Sequence, residues 1–478
     1  MLNRTKNIGC RKFDNHEYHS LTTFDLMIQL LASKVKSVVY SLFIILLFSC
    51  STDNNLPLTI PEDEIGNEET IGEEEGEETI EDSLQIFAGE LGTVTFFNKA
   101  LVEDHYILVN DAGANRVYLM DKIGDIVYEW PLGERKIGND VLLLDNGTLL
   151  TSLQSENPEF LFGGLGGNIQ IINKEGEALW DFTYSNANHR GHHDVELLPN
   201  GNVLAIAWEK ISQEEAIAIG SKLGAEIFPE SIIEIDPSSD TIVWEWHAKD
   251  HLVQDFDDTK LNFGSIEENP QLIDLNYEVA FGGNIMHANG IGYDEINDLI
   301  YLSVNYYSEV WVIDHSTSTE DASSHSGGNF GRGGDLIYRF GNPTTLKDEQ
   351  TERLFVNNHH PNLFEPGKML IYTNGGELEQ STVYELKLPS ELNQKLIPET
   401  TQPEILWNFK DPELYAPKVS GAVRLPNGNT LITEGDYGIW EVTPQGEVVW
   451  KFFGEGFFWR AYHYAKDDPA ILALELDL

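Results

Sequence analysis

From about Ile86 to Leu478 the chain falls into short β-rich runs broken by Gly, Asn, Asp and Pro. One line reads His193-Asp-Val-Glu-Leu-Leu-Pro-Asn-Gly-Asn-Val-Leu-Ala, and a later one Ser420-Gly-Ala-Val-Arg-Leu-Pro-Asn-Gly-Asn-Thr-Leu-Ile. A third is Asn139-Asp-Val-Leu-Leu-Leu-Asp-Asn-Gly-Thr-Leu-Leu. Each sets two strands on either side of an Asn-Gly turn, a strong short-range hairpin signal. A third strand follows, ending in an acid at Asp236, then a turn, then a strand carrying Trp: Ile232–Asp236 before Thr241–Trp246, Ile169–Ile172 before Ala178–Phe182, and Ile439–Val442 before Glu447–Phe452. Four antiparallel strands per unit, repeated, make a propeller blade, with the Trp packed between neighbours. Two degenerate copies begin at His287 and His359, and another near Leu101. The pattern predicts an all-β protein, a single six-bladed β-propeller with four-stranded blades over residues 86–478, with five or seven blades the alternatives if a repeat near either terminus is shared to close the ring.

Three stretches without strong periodicity interrupt the repeats: Glu209–Glu230, His247–Asn284 and His315–Gly334. Insertions of this kind typically decorate one face of a propeller as lids or binding loops.

The N-terminal region has a different texture. Lys34 and Lys36 precede an apolar run from Val38 to Phe48 that ends in Leu47-Phe48-Ser49-Cys50. A basic flank, a short apolar core and a small residue before a cysteine describe a signal region over 1–49. The run is too short to span a bilayer. Cys50 resembles the lipidated residue of a bacterial lipobox, and Met27 is a candidate start, since residues 1–26 have no signal character. Cys10 and Cys50 are the only cysteines, so the body after the cut has neither disulfide nor free thiol. Residues 50–85 are Glu-rich with few large apolar side chains, the composition of a disordered acidic tether. The expected localisation is the bacterial cell envelope, reached by export, with the membrane contacted through the lipid alone. The formal charge of −49 excludes a basic nucleic-acid-binding face.

Counting back from each turn glycine or its equivalent, one blade position holds Asn139, His193, His287, His359 and Ser420. It begins the innermost strand, at the mouth of the central channel, so three histidines from three blades are expected to converge there. Imidazoles facing a channel suit proton transfer, anion binding or a metal. A divalent cation held by His192, His193, Asp194, His287 and His359 is one alternative; a receptor channel for a sulfated or carbohydrate ligand is another.

The lines Gly191-His-His-Asp-Val-Glu-Leu-Leu-Pro-Asn-Gly-Asn, His287-Ala-Asn, Val310-Trp-Val-Ile-Asp-His-Ser-Thr, Gly333-Gly-Asp-Leu-Ile-Tyr-Arg-Phe-Gly-Asn-Pro and Trp459-Arg-Ala-Tyr resemble the bacterial aryl-sulfate sulfotransferase family. The resemblance covers about Leu101 to Leu478. It implies sulfuryl transfer from a phenolic sulfate donor to a phenolic acceptor, without phosphoadenylyl sulfate, cofactor or metal, through a transiently sulfated channel histidine. By motif, the nucleophile is His359, His193 is the second active-site histidine, and His287 with Asn289 forms the His-x-Asn pair that steadies the sulfuryl oxygens. His192, His360 and Asn305 are further substrate-site candidates. Where the family carries an arginine on the strand after His-x-Asn, this chain has Asn305. That departure leaves three readings: a different substrate, compensation by Arg190 or Arg424, or no turnover. Strand alternation sets His360 opposite to His359.

Overall fold

The computed structural model describes residues 86–278, 282–390, 392, 402–454 and 456–476. The signal region, Cys50 and the acidic tether lie outside them.

The Asn-Gly hairpins form as the pattern requires. In the Leu198-Pro-Asn-Gly-Asn turn, Gly201 N donates to Leu198 O and Leu198 N to Asn202 O. Gly201 takes φ of 88°, a left-handed conformation that glycine adopts without steric cost. The same exchange recurs at Leu425/Asn429 and Leu144/Thr148.

Each hairpin supplies the two inner strands of a four-stranded antiparallel blade, and six blades close the ring. Blade II comprises Ile137–Leu143, Leu149–Gln154, Gly167–Ile172 and Ala178–Thr183; blade III comprises His189–Leu197, Val203–Glu209, Glu230–Asp236 and Thr241–His247. Blade IV runs Ala288–Asp294, Leu299–Val304, Glu309–Asp314 and Tyr338–Phe340; blade V runs Asn358–Glu365, Lys368–Thr373, Thr382–Lys387 and Glu404–Phe409. Blade VI comprises Gly421–Arg424, Thr430–Glu434, Gly438–Val442 and Val448–Gly454.

The ring is fastened at both chain ends. The C-terminal strand Phe458–Tyr464 is the innermost strand of blade I, pairing with Tyr106–Asp111 ahead of Arg116–Met120 and Ile126–Glu129. The N-terminal strand Gly92–Phe97 instead extends the outer edge of blade VI against Val448–Gly454.

The core is a set of six blade-to-blade seams rather than one centre. Ile107, Tyr118, Leu431 and Trp450 fill the seam between blades VI and I; Ile232, Trp246, Leu302 and Trp311 fill that between III and IV. The middle strands face a neighbouring blade on each side, so Leu299–Val304 and Glu309–Asp314 are buried along their whole length. Trp246 and Trp450 are fully buried as expected of the seam position, whereas Trp180 and Trp407 stay half-exposed at the rim. Among the described residues no helix is long and apolar enough to cross a membrane.

The insertions do not all emerge from one face. Glu209 pairs with His189 and His247 with Ser231, so residues 210–229 and 248–287 leave from the end where the channel histidines lie. Asp314 pairs with Leu299 at the opposite end, so residues 315–337 start from the other face. That segment then returns along the rim, where Gly334 O accepts from Trp246 Nε1 at 2.7 Å.

Candidate active site

The inner strands of blades III, IV and V enter the channel through a left-handed residue: His193 at φ 54°, His287 at 55° and His360 at 56°. Each sits at or beside a register shift in its inner hairpin. A side chain with a Cβ in this region costs on the order of 1–3 kcal/mol, and such residues persist only where the surroundings hold them. In blade V the left-handed residue is His360 rather than His359, one position nearer the turn glycine than the count from the other blades supplies.

The imidazoles of His193 and His287 meet edge to face, 4.8 Å between ring centroids. Trp459, from the strand that closes the ring, lies 5.3 Å from His193 and 6.3 Å from His359. His287 stacks on Tyr306 at 4.8 Å. Burial, with the neighbouring imidazoles adding to it, depresses His193 well below the ordinary histidine range and takes His287 and His359 to about 3. All three rings are neutral at pH 7.

Each ring has its Nδ1 tied to the protein. His359 Nδ1 lies 2.6 Å from Asn374 Oδ1. The Asn374 amide nitrogen donates to the carbonyls of Ala416 (2.7 Å) and Val419 (3.2 Å), so the amide oxygen is the atom left to face the ring. His359 therefore carries its proton on Nδ1 and a lone pair on Nε2. Asn284 Nδ2 donates to His287 Nδ1 at 2.7 Å, which leaves the His287 proton on Nε2. His193 Nδ1 faces His192 Nδ1 at 2.6 Å, and His192 Nε2 faces Glu230 Oε2 at 2.7 Å. Among the described residues the Nε2 of His193, His287 and His359 makes no hydrogen bond, so the channel is lined by three free ring nitrogens held from behind.

Glu230 and His192 are fully buried, and Trp208 covers His192 at 3.6 Å in a near-parallel stack. Burial pushes the Glu230 carboxyl well up. With a charged Glu230, His192 donates from Nε2 and accepts at Nδ1, and His193 Nε2 is bare. With a protonated Glu230 every donor in the chain reverses and His193 Nε2 carries the proton. His192 is thus the middle member of a carboxyl–imidazole–imidazole relay and is not aimed at substrate.

The loop 155–166 of blade II closes over the group. Gly164 O accepts from His193 N at 3.2 Å, and any Cβ at Gly164, whose φ is 80°, would overlap the His193 ring. Phe160 and Phe162 anchor the loop on Trp208 and Phe228.

Beneath the histidines the axis is filled by Arg460, which is 3% exposed. It grips both oxygens of Asp194 (2.7 and 2.9 Å), touches Asp140 at 3.3 Å and donates to Asn289 O at 3.3 Å. Tyr462 donates to Asp140 at 2.9 Å. One guanidinium thus ties the inner strands of blades I to IV across the channel. Asp194 is spent on Arg460 and on Ile291 N, and His192 on its relay, which removes both from the ligand set of a channel cation.

The remaining candidates brace the site. Asn289 is fully buried and donates from Nδ2 to Asn358 O at 2.9 Å. Asn305 N donates to His287 O, and Asn305 Oδ1 accepts from Asn357 Nδ2 at 3.0 Å, so this residue links the His287 turn to the strand carrying His359. His360 points away from the rings, accepting Ala422 N of blade VI at its Nδ1. Arg190 and Arg424 do not compensate for the missing arginine. The Arg190 guanidinium is absorbed by the carbonyls of Phe160 and Gly166, and Arg424 is paired to Glu385 beside the blade VI turn. Arg460, one residue from Trp459, is a cation whose charge acts on His193, His359 and His360. A cavity of about 860 Å³ lined by Asp294, Tyr301, Lys368 and Lys387 opens at the opposite ends of blades IV and V and includes none of these groups.

Comparison with solved structures gives distant likenesses. A protein of unknown function from Bacteroides caccae is 14% identical, with TM-score 0.44, covering 75% of this chain and 98% of its own. A putative 6-phosphogluconolactonase from Bacteroides fragilis NCTC 9343 is 13% identical, with TM-score 0.37, over 81% of this chain and all of its own (100%). BamB from Moraxella catarrhalis is 11% identical, with TM-score 0.33, over 81% and 95%. None of these bears on function. No curated protein matches the chain. The family model described as Arylsulfotransferase (ASST), however, matches residues 93–451, a span that takes in five of the six inner strands and His193, His287 and His359 with the groups behind them. The chain therefore belongs to the arylsulfotransferase family and is an aryl-sulfate sulfotransferase, a transferase.

Proposed function

We propose that this channel moves a sulfuryl group from a phenolic sulfate ester to a phenol in two displacements through a sulfohistidine at His359, without phosphoadenylyl sulfate or another cofactor. The observation that carries the reading is Asn374, which holds the His359 proton on Nδ1 and leaves Nε2 with its lone pair. In the first displacement Nε2 bonds to sulfur and the sulfur–aryl oxygen bond breaks, its electron pair leaving on the phenolic oxygen. His193 Nε2–H protonates that oxygen. The sulfated ring is positive and the sulfonate negative, and Asn374 Oδ1 faces the N–H that shares the positive charge. In the second displacement His193 Nε2 takes the acceptor's proton, the acceptor oxygen bonds to sulfur and the nitrogen–sulfur bond breaks. His287 Nε2–H is the donor to the sulfuryl oxygens. Asn289 and Asn305 keep the two histidine-bearing strands in register rather than touching substrate.

The test is to incubate the protein with an activated aryl sulfate and no acceptor, quench at alkaline pH and map the labelled peptide. Label on His359, one phenol released per chain, and loss of both in His359→Ala are expected. Label on His360, or no label and no phenol release across several donors, would overturn the assignment. The second outcome would leave a channel that binds sulfated ligands without turning them over.

We also propose export and lipid attachment at Cys50, on the strength of the basic flank, apolar run and Leu47-Phe48-Ser49-Cys50. Mass spectrometry of membrane-extracted protein should find Cys50 first and acylated; an unmodified N-terminus elsewhere would remove the anchor.

A further inference from the structure

Away from the channel, two of the insertions meet on the rim of blade III. His251 ends the short helical turn Ala248–His251 that follows the outer strand, and it is fully buried. Its ring lies parallel to Trp246, 5.8 Å between centroids. Its Nε2 is 2.8 Å from the carbonyl oxygen of Ala322. A carbonyl only accepts, so that nitrogen carries the proton. On a neutral ring Nδ1 then presents a lone pair, and it faces Asp335 Oδ1, another acceptor, at 2.8 Å. His325 brings its own Nδ1 to the same oxygen at 2.7 Å. The three ligand atoms all lie within 4.8 Å of one another. A neutral His251 ring and the Asp335 carboxylate thus face each other lone pair to lone pair, a contact that a positive charge between them relieves.

We propose that His251 Nδ1, His325 Nδ1 and Asp335 Oδ1 bind a divalent transition ion with zinc's preference for imidazole nitrogen and carboxylate oxygen. The Ala322 carbonyl is the outer partner that fixes the His251 tautomer, as metal-bound histidines usually require. A fourth position opens toward a cavity of about 550 Å³ lined also by Glu268, Gln271 and Arg332. Gly334 is needed for the approach, because a Cβ there would overlap Ala322 O and crowd His251 Nε2. The ion joins residue 251 of one insertion to residues 325 and 335 of the other. It lies beside the contact in which Leu336 N donates to Gln271 O. The first of these insertions runs on to Asn284, which holds His287. The role is a fastening, with no part in the chemistry at His359.

The experiment uses the full chain stripped with a chelator and titrated with Co²⁺ and with Zn²⁺, followed by visible absorption, calorimetry and thermal melting. One ion per chain, the intense visible bands of low-coordinate Co²⁺ and a rise in melting temperature with Zn²⁺ are expected. His325→Ala is the decisive variant, because this side chain is 64% exposed and its loss leaves the buried packing intact. It and Asp335→Asn should each weaken binding at least tenfold, while His193→Ala binds as the parent does. No binding to the parent, binding unchanged in both rim variants, or binding lost in His193→Ala would each overturn the site.

Discussion

Which nitrogen of each imidazole carries the proton decides what the channel can do, and the deciding atoms belong to residues that never face it. In the proposed reaction Asn374 makes His359 a lone-pair donor, and Glu230 with His192 lets His193 switch between acid and base. Glu230→Gln tests the switch. The amide oxygen can still accept from Ala288 N, while the amide nitrogen donates to His192 Nε2 and fixes the relay in one direction, with the proton on His193 Nε2. Phenol release from an activated donor, whose phenolate leaves without a proton, should be retained, whereas transfer to an acceptor should fall by about 10²–10⁴, the usual worth of a general base. Half-reactions measured separately would show it; equal loss in both would sink the relay. The histidines themselves were legible in sequence because each stands at a fixed count from its turn. Asn374 and Glu230 were not, since they lie on the neighbouring strand or across the blade, where no count along one strand reaches. Arg460 stood in a recognised line, but only the closure of the ring shows it crossing the axis.

At the level of the strand, blade shape follows from the turns and site shape from the bulges. The Pro-Asn-Gly turns were plain in the sequence because their glycines must be left-handed. The bulges at His193, His287 and His360 were not, since histidine gives no sign of a positive φ. In blade V the left-handed residue sits one step from the position that counting supplies, yet the His359 ring still joins the group. The loop 155–166 shows the same limit, because its Phe and Gly residues have no period and their targets are on another blade. Gly164→Ala puts a Cβ into the His193 ring at a backbone angle that alanine resists. It should cost about 1–3 kcal/mol in stability, the range for such strain, and most of the turnover. Urea melts beside donor turnover would test this, and wild-type activity would mean that the loop does not rest on His193.

Across the whole molecule, hydrophobic pattern and hairpin signals were enough for the six-bladed ring, because every seam repeats one packing problem; how the two chain ends close it was left open by the pattern. The path of the third insertion was not, since it leaves one face and is fastened along the rim near the other. Arg460 reaches four blades, and it comes from the C-terminal strand of the ring. Arg460→Met leaves Asp194 and Asp140 buried without their cation, so a loss of about 3–5 kcal/mol is expected. Equilibrium urea unfolding measures it, and a change under about 1 kcal/mol would show that other groups close the axis.

If the proposed two-displacement reaction holds, Arg460 and its two aspartates, which fill the axis beneath the histidines, leave donor and acceptor one side from which to reach His359. A spent phenol must back out through the opening by which the next phenol arrives, so the two cannot pass. Turnover then alternates strictly: initial-rate plots at several acceptor concentrations should run parallel, and each reactant in excess should block the other.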